Sequence, residues 1–237
     1  MTPMQTQFAA ETGPWKTGDH RQRVAATRRQ RMRSLLLNSA MRLMLENSAS
    51  TPSIDDIISA ARVSRGTFYK YFPSSDAIVR ELVGKMAEQW VRAADPIVRD
   101  HDDPAEHIAR GIRLASILTV HQPGVAGILG RLGWAGYHAP NMLEFVRRDI
   151  EEGVRRNRFK RMPIALGFNI VAGAAMSAMQ SMLDTECRED FSELAAAVAL
   201  RALGVEESAA DAISRSPLQA SEALFDGLLA ETISDVP

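Results

Sequence analysis

Four side chains close together in the first third of the chain, Arg65, Thr67, Tyr69 and Lys70, are hydrogen-bond donors on short or semi-rigid stems. Such donors suit phosphate oxygens and base edges, so the chemistry they offer is recognition of a nucleic acid rather than bond making. Elsewhere the spacing of reactive residue types argues for no catalysis. The five histidines, at 20, 101, 107, 121 and 138, form no i, i+4 pair and have no neighbouring partner in a metal-binding pattern. Gly-x-Ser-x-Gly, phosphate-loop and His-Glu-x-x-His patterns are absent from the sequence. The Gly-rich run Gly124 to Gly136 lacks the preceding strand of a dinucleotide fingerprint. The single Cys187, beside Glu186 and Arg188, excludes an internal disulfide and reads as a structural thiol sooner than a redox sensor. The expectation is a protein that is not an enzyme and needs no metal or cofactor.

The donors must be held by something. Upstream, Ile54, Ile57, Ile58 and Ala61 recur at i, i+3, i+4, i+7, the spacing of one buried helical face. Ser53 and Asp56 are placed to cap that helix, and Ser64 to cap a second one that carries the donors. Two short helices and a turn between them make a helix-turn-helix, with the second helix shaped for a major groove. Phe68 and Phe72 read as the core that holds it, and Tyr69 as packing or a phosphate contact. A third helix, expected from about Arg29 to Asn47, supplies Leu36, Ala40, Leu43 and Met44 to the same core. Charge agrees with this assignment. Net charge is −1 overall, yet residues 21 to 72 carry ten Lys and Arg against Glu46, Asp55 and Asp56, a balance of +7 that leaves −8 elsewhere. Arg21, Arg23, Arg28, Arg29, Arg31 and Arg33 read as a basic arm ahead of the first helix, reaching a minor groove or phosphates. Residues 1 to about 20 show no periodicity and are expected to be disordered.

The run Ile57 to Phe72, with Val63-Ser64, Gly66-Thr67-Phe68-Tyr69 and Tyr71-Phe72, resembles the DNA-binding signature of TetR-type transcriptional repressors. The likeness extends from Leu36 to about Leu82, roughly a fifth of the chain. Two positions depart from the family pattern: Arg62 stands where the turn usually has Gly, and Ser75 where a Lys usually follows the Phe-Pro step. The resemblance implies a palindromic double-stranded operator, a homodimer formed through the last two long helices, and release by a small molecule. Candidate DNA contacts are Arg29, Ser53, Arg62, Ser64, Arg65, Gly66, Thr67, Tyr69 and Lys70.

The remainder of the chain reads as helix throughout, so the fold class is all-α. A helix after Pro73-Ser74-Ser75-Asp76, with Ile78, Leu82, Met86 and Trp90 at steps of four, runs to about Asp95-Pro96 and links the DNA-binding unit to a second domain. Asp103-Pro104 opens a helix to about Val120; Val125 to Gly136 makes a short or irregular one; Pro140 opens another, ending in the basic run Arg155 to Arg161. Ile164 to Leu183 interleaves small residues with Phe168, Ile170, Met176 and Met179, too apolar for a surface helix. With Phe191 to Leu203, stopped by Gly204, it reads as half of a four-helix bundle completed by a second copy. Trp90, Leu114, Ile117, Trp134, Tyr137, Phe145, Phe168 and Met176 are the candidate lining of a pocket for a hydrophobic ligand, with His121, Asn169 and Gln180 as polar orienters. The expected division is a tail, 1–20, a DNA-binding domain with basic arm, 21–74, and a ligand-binding and dimerisation domain, 75–237. No apolar run approaches the roughly 18 residues of a bilayer span, and the N-terminus shows no signal-peptide apolar core, so cytoplasm is the expected location. The competing reading is an α-helical enzyme or small-molecule-binding protein whose helix-turn-helix is structural, which would have no need of the +7 surface.

Overall fold

The computed structural model describes residues 16–47, 50–132, 140–184 and 189–219. Ten helices are described: α1 (Lys16–Glu46), α2 (Ile54–Ala61), α3 (Arg65–Tyr69), α4 (Ser75–Val98), α5 (Pro104–His121), α6 (Pro123–Leu132), α7 (Pro140–Arg155), α8 (Ile164–Asp184), α9 (Phe191–Leu203) and α10 (Glu207–Ser214). No strand occurs among the described residues. Most boundaries follow local chemistry. Ser53 and Asp56 form a reciprocal capping box at the start of α2. Asp103 accepts the Ala105 N–H with Pro104 at the first turn of α5, and Gly204, at φ 98°, ends α9.

The first helix departs from expectation. It begins at Lys16, so the arginines expected in an arm ahead of the first helix are carried on that helix, which also takes in residues 16–20. A helix presents one face outward for its whole length, and Arg28, Arg29 and Arg31 are exposed on it. Arg33 is spent inside the fold instead. Its guanidinium pairs with Glu81 of α4, donates to the Tyr71 carbonyl at 3.1 Å and lies 4.5 Å from the centroid of the Phe72 ring. It braces α1 against α4 and the end of α3.

At eight and five residues, α2 and α3 are too short to be stable alone. They are held by a dry centre in which Leu36, Met41, Met44, Ile57, Phe68 and Phe72 are at most 1% exposed. This core is continuous with the body. It runs through Ile78 and Leu82 of α4 into Leu114 and Leu118 of α5 and Ile128 of α6. A second core joins α5, α7, α8, α9 and α10 around Ile112, Ile150, Phe168 and Leu200. Helix α4 extends three residues past Asp95, with Pro96 in its last turn, and Arg99 closes it by donating its N–H to the Asp95 carbonyl at 2.9 Å.

Helix α8 corrects the expectation about apolar runs. Ile164–Leu183, with mean hydropathy 1.3, is long and apolar enough to cross a bilayer by length and composition. Its polar residues, Asn169, Ser177, Gln180 and Ser181, are too few, and all uncharged, to bring that average down further. Here it packs on α5, α6, α7 and α9. Only 28% of the segment is buried, and Leu166 is 50% and Val198 of neighbouring α9 55% exposed. The basic run after α7 is a set of ion pairs, with Arg155 and Arg156 on Glu152, Arg156 on Asp102, and Arg158 on Asp103.

Candidate nucleic-acid interface and ligand cavity

Helix α3 separates its two kinds of side chain cleanly. Phe68 is fully buried, set edge-on to Tyr69 with ring centroids 5.7 Å apart, while Tyr69 itself is 50% exposed. Arg65, Gly66, Lys70 and, just upstream, Arg62 and Ser64 also face solvent, and Thr67 is half-buried. Ser64 is the hinge of this arrangement: its Oγ accepts the Thr67 N–H at 3.1 Å and sits 2.9 Å from Thr67 Oγ1. That cap leaves the remaining N-terminal amides of α3 pointing outward, where an anion is favoured. Arg65 pairs with Asp55 of α2, which holds the guanidinium at the seam between the two helices and raises its pKa further.

Two backbone details explain residue choices. Arg62 adopts the left-handed conformation, φ 53° and ψ 44°, and its N–H reaches the Ile58 and Ser59 carbonyls. The turn therefore has the geometry that glycine serves most cheaply, and a long cation occupies it at a cost of about 1 kcal/mol. Gly66 is the reverse case. A Cβ there would meet nothing closer than Ser64 Oγ at 3.9 Å, so neither backbone conformation nor internal packing requires glycine. What a missing side chain gains at an exposed helix start is close approach by something outside the protein.

The other expected contacts are dispersed around this patch. Ser53 is engaged in its own cap, with Oγ 2.6 Å from Asp56 Oδ2, although it is exposed. Arg29 lies on the outer surface of α1. Ser75, where the resemblance leads one to expect Lys, donates its hydroxyl to the Pro52 carbonyl and ties the start of α4 to the segment before α2.

In the body, α4, α5, α6, α7 and α8 line a partly open cavity of about 170 Å³. Trp90, Phe145, Phe168 and Met176 line it. Leu114 and Ile117 do not reach it. The face of α5 turned to the cavity carries Ile108, Gly111, Ile112 and Ala115, at helical spacing, which turns Leu114 and Ile117 into the first core. Trp134 and Tyr137 lie outside the described residues, as do Cys187 and the segment from 220 onward. His121, Asn169 and Gln180 are not part of the lining.

The polar groups of the cavity are instead Asp95, His107 and Asp149, which sequence reading did not single out. They come from three helices and meet at one corner. His107 Nδ1 is 3.1 Å from Asp149 Oδ1, and its Nε2 is 2.6 Å from the His101 carbonyl. Arg99 donates to Asp95 Oδ1 at 2.6 Å and to Asp149 Oδ1 at 3.3 Å. Both ring nitrogens of His107 face acceptors, so the doubly protonated imidazolium is the form that satisfies both. Burial alone would lower its pKa; the bonds to Asp149 and the His101 carbonyl, with the Asp149 charge, outweigh that and raise it above 6.5. With His107 charged, two cations balance two carboxylates.

A compact helix-turn-helix head, basic and outward-facing, joined through one long helix to a body with a largely apolar cavity, is the architecture of a DNA-binding transcriptional regulator. Comparison with known proteins agrees. Residues 36–82 match the domain described as bacterial regulatory proteins, tetR family, and residues 103–216 match the tetracyclin repressor-like C-terminal domain. The chain belongs to the TetR family of bacterial transcriptional regulators. It is 34% identical over 80 residues to the HTH-type transcriptional regulator EthR of Mycolicibacterium smegmatis, a match covering 33% of this chain and 37% of that one. That match thus spans little more than a third of EthR. The structure of RolR in complex with resorcinol superposes with a TM-score of 0.64 at 26% identity, covering 82% of this chain and 98% of RolR. FadR of Bacillus subtilis, in complex with stearoyl-CoA, superposes at 0.54 with 17% identity, over 73% and 97% of the two chains, which speaks to fold alone.

Proposed function

We propose that this chain is a repressor that grips a palindromic double-stranded operator as a homodimer and lets go when a small hydrophobic molecule fills the cavity. Residues 21–74 are the reading head and 75–237 the ligand-binding and dimerisation body, working in the cytoplasm and carrying no enzymatic activity. The observation that carries the reading is the outward face of α3: Arg65, Gly66, Tyr69 and Lys70 exposed, and nothing in the protein requiring a glycine at 66. Helices α8 and α9 support the dimer, since an apolar segment in which only 28% of the residues are buried, with Leu166 on it and Val198 beside it exposed, offers surface a second copy can bury. RolR, with its bound resorcinol, supports a small effector. A ligand shifts the equilibrium only by binding the non-gripping form better than the gripping one.

Fluorescence anisotropy on DNA from upstream of the gene tests this. Log affinity should fall linearly with log salt, and Lys70→Ala should lower that slope by about 1 if Lys70 neutralises one phosphate. Arg65→Ala or Thr67→Ala should instead relax discrimination at one base pair if either reads a base. Binding that is weak and indifferent to salt would sink the proposal.

A further inference from the structure

The cavity is apolar except at one corner, and that corner has an unused acceptor. Asp149 is 7% exposed. His107 and Arg99 both bind its Oδ1, and among the described residues nothing donates to Oδ2. A carboxylate oxygen with lone pairs to spare, on a residue so little exposed, favours a donor, and a hydroxyl bonded to a charged group is worth more there than in water. The electrostatic balance limits what can carry that donor. Asp95 and Asp149 are already matched by Arg99 and protonated His107, so an anionic ligand would face two carboxylates and a cationic one would leave excess positive charge. Size limits it further. An apolar cavity of about 150 Å³ holds benzene, and this one, partly open to solvent, measures about 170 Å³. Aromatic walls at Trp90, Phe145 and Phe168 suit a flat ring.

We propose that the cavity takes a neutral, single-ring aromatic molecule bearing a hydroxyl group, with the hydroxyl donating to Asp149 and the ring lying among Trp90, Phe145 and Phe168. The proposal rests on the reading of this cavity as the effector site, and it excludes aromatic acids as the preferred occupants. Asp149 is the recognition group. Arg99 and His107 are positioning residues that hold its other oxygen.

Titration calorimetry of the full chain with four probes tests it: 3-methylphenol, its methyl ether 3-methylanisole, toluene and 3-methylbenzoate. The phenol should bind about tenfold or more tightly than the ether and toluene, because only the phenol has a donor, and the benzoate should be weakest. In Asp149→Leu the phenol should lose that advantage while toluene still binds. Should that variant fail to fold, the phenol-to-ether ratio in the unaltered protein decides alone. Equal binding of phenol and ether, tightest binding by the benzoate, or no binding by any probe overturns the proposal. Adding the phenol to the protein–operator complex keeps the two claims apart. Binding in the calorimeter without release of DNA leaves the hydroxyl site standing and removes the effector reading.

Discussion

The head and the body of this molecule use polar residues in opposite directions. In the head the fully buried side chains around Phe68 and Phe72 are apolar, and Arg62, Arg65, Tyr69 and Lys70 stand outside them. In the body several charged groups point inward, so that Asp149, His107, Arg110 and Arg113 are all under a tenth exposed, while α8 and α9 leave apolar residues outside. A surface that reads a large, charged, hydrated partner can keep its donors in water. A site for a small molecule must bring its few polar groups into the core and satisfy each with a partner. The contrast also bears on fragility, since the head's donors can be altered at little cost to folding and the body's cannot.

Changes at the interior of either region should show the largest effects. Phe68→Ala should remove about 3–5 kcal/mol from the stability of the head and abolish operator binding without touching a donor, as read by denaturant unfolding. In the body, Gly153→Ala drives a Cβ to within 2.1 Å of the Phe159 ring, and a loss of about 1–3 kcal/mol is expected because a buried ring has nowhere to move. Arg33→Met, which removes the brace between α1 and α4, should cost about 1–2 kcal/mol and weaken DNA binding only through loosening of the head. A change at the turn should sharpen the contrast by separating the two quantities. Arg62→Gly relieves the left-handed strain and should raise stability by about 1 kcal/mol, while the lost cation lowers operator affinity.

The smallest effect expected is a pH dependence confined to the body. The folded pKa of His107 is raised above 6.5, so its contribution is complete below that value and lost as pH rises through the folded pKa. The melting temperature of the unaltered protein should therefore fall across that window relative to His107→Gln, and a parallel pair of curves would remove His107 from the network.

The same asymmetry decides what could be read in advance. The head was legible because its candidate contacts lie on contiguous residues, Ser64 to Lys70, whose cap, buried aromatics and donors follow one another along the chain. Helix ends with local causes, Asp103-Pro104 and Gly204, were equally plain. The cavity's polar corner was not. Asp95, His107 and Asp149 lie on three helices, and nothing in the spacing of Asp149 within α7 distinguishes it from a solvated acid. Leu114 and Ile117 were misplaced because apolar character alone does not say which face of α5 turns to the cavity. Arg33 was indistinguishable in type from its exposed neighbours, and only the fold brings Glu81, 48 residues away, beneath it.

The uncovered face of α8 and α9 has a consequence for dosage. If two copies must meet there before either can hold DNA firmly, assembly is governed by mass action. Below the dissociation constant of the pair, the amount of gripping species rises roughly as the square of the protomer concentration. Halving the supply of protein would then cut operator occupancy by more than half. Exposed apolar residues on two helices would then set a threshold, at which a modest change in synthesis or turnover switches the regulated gene.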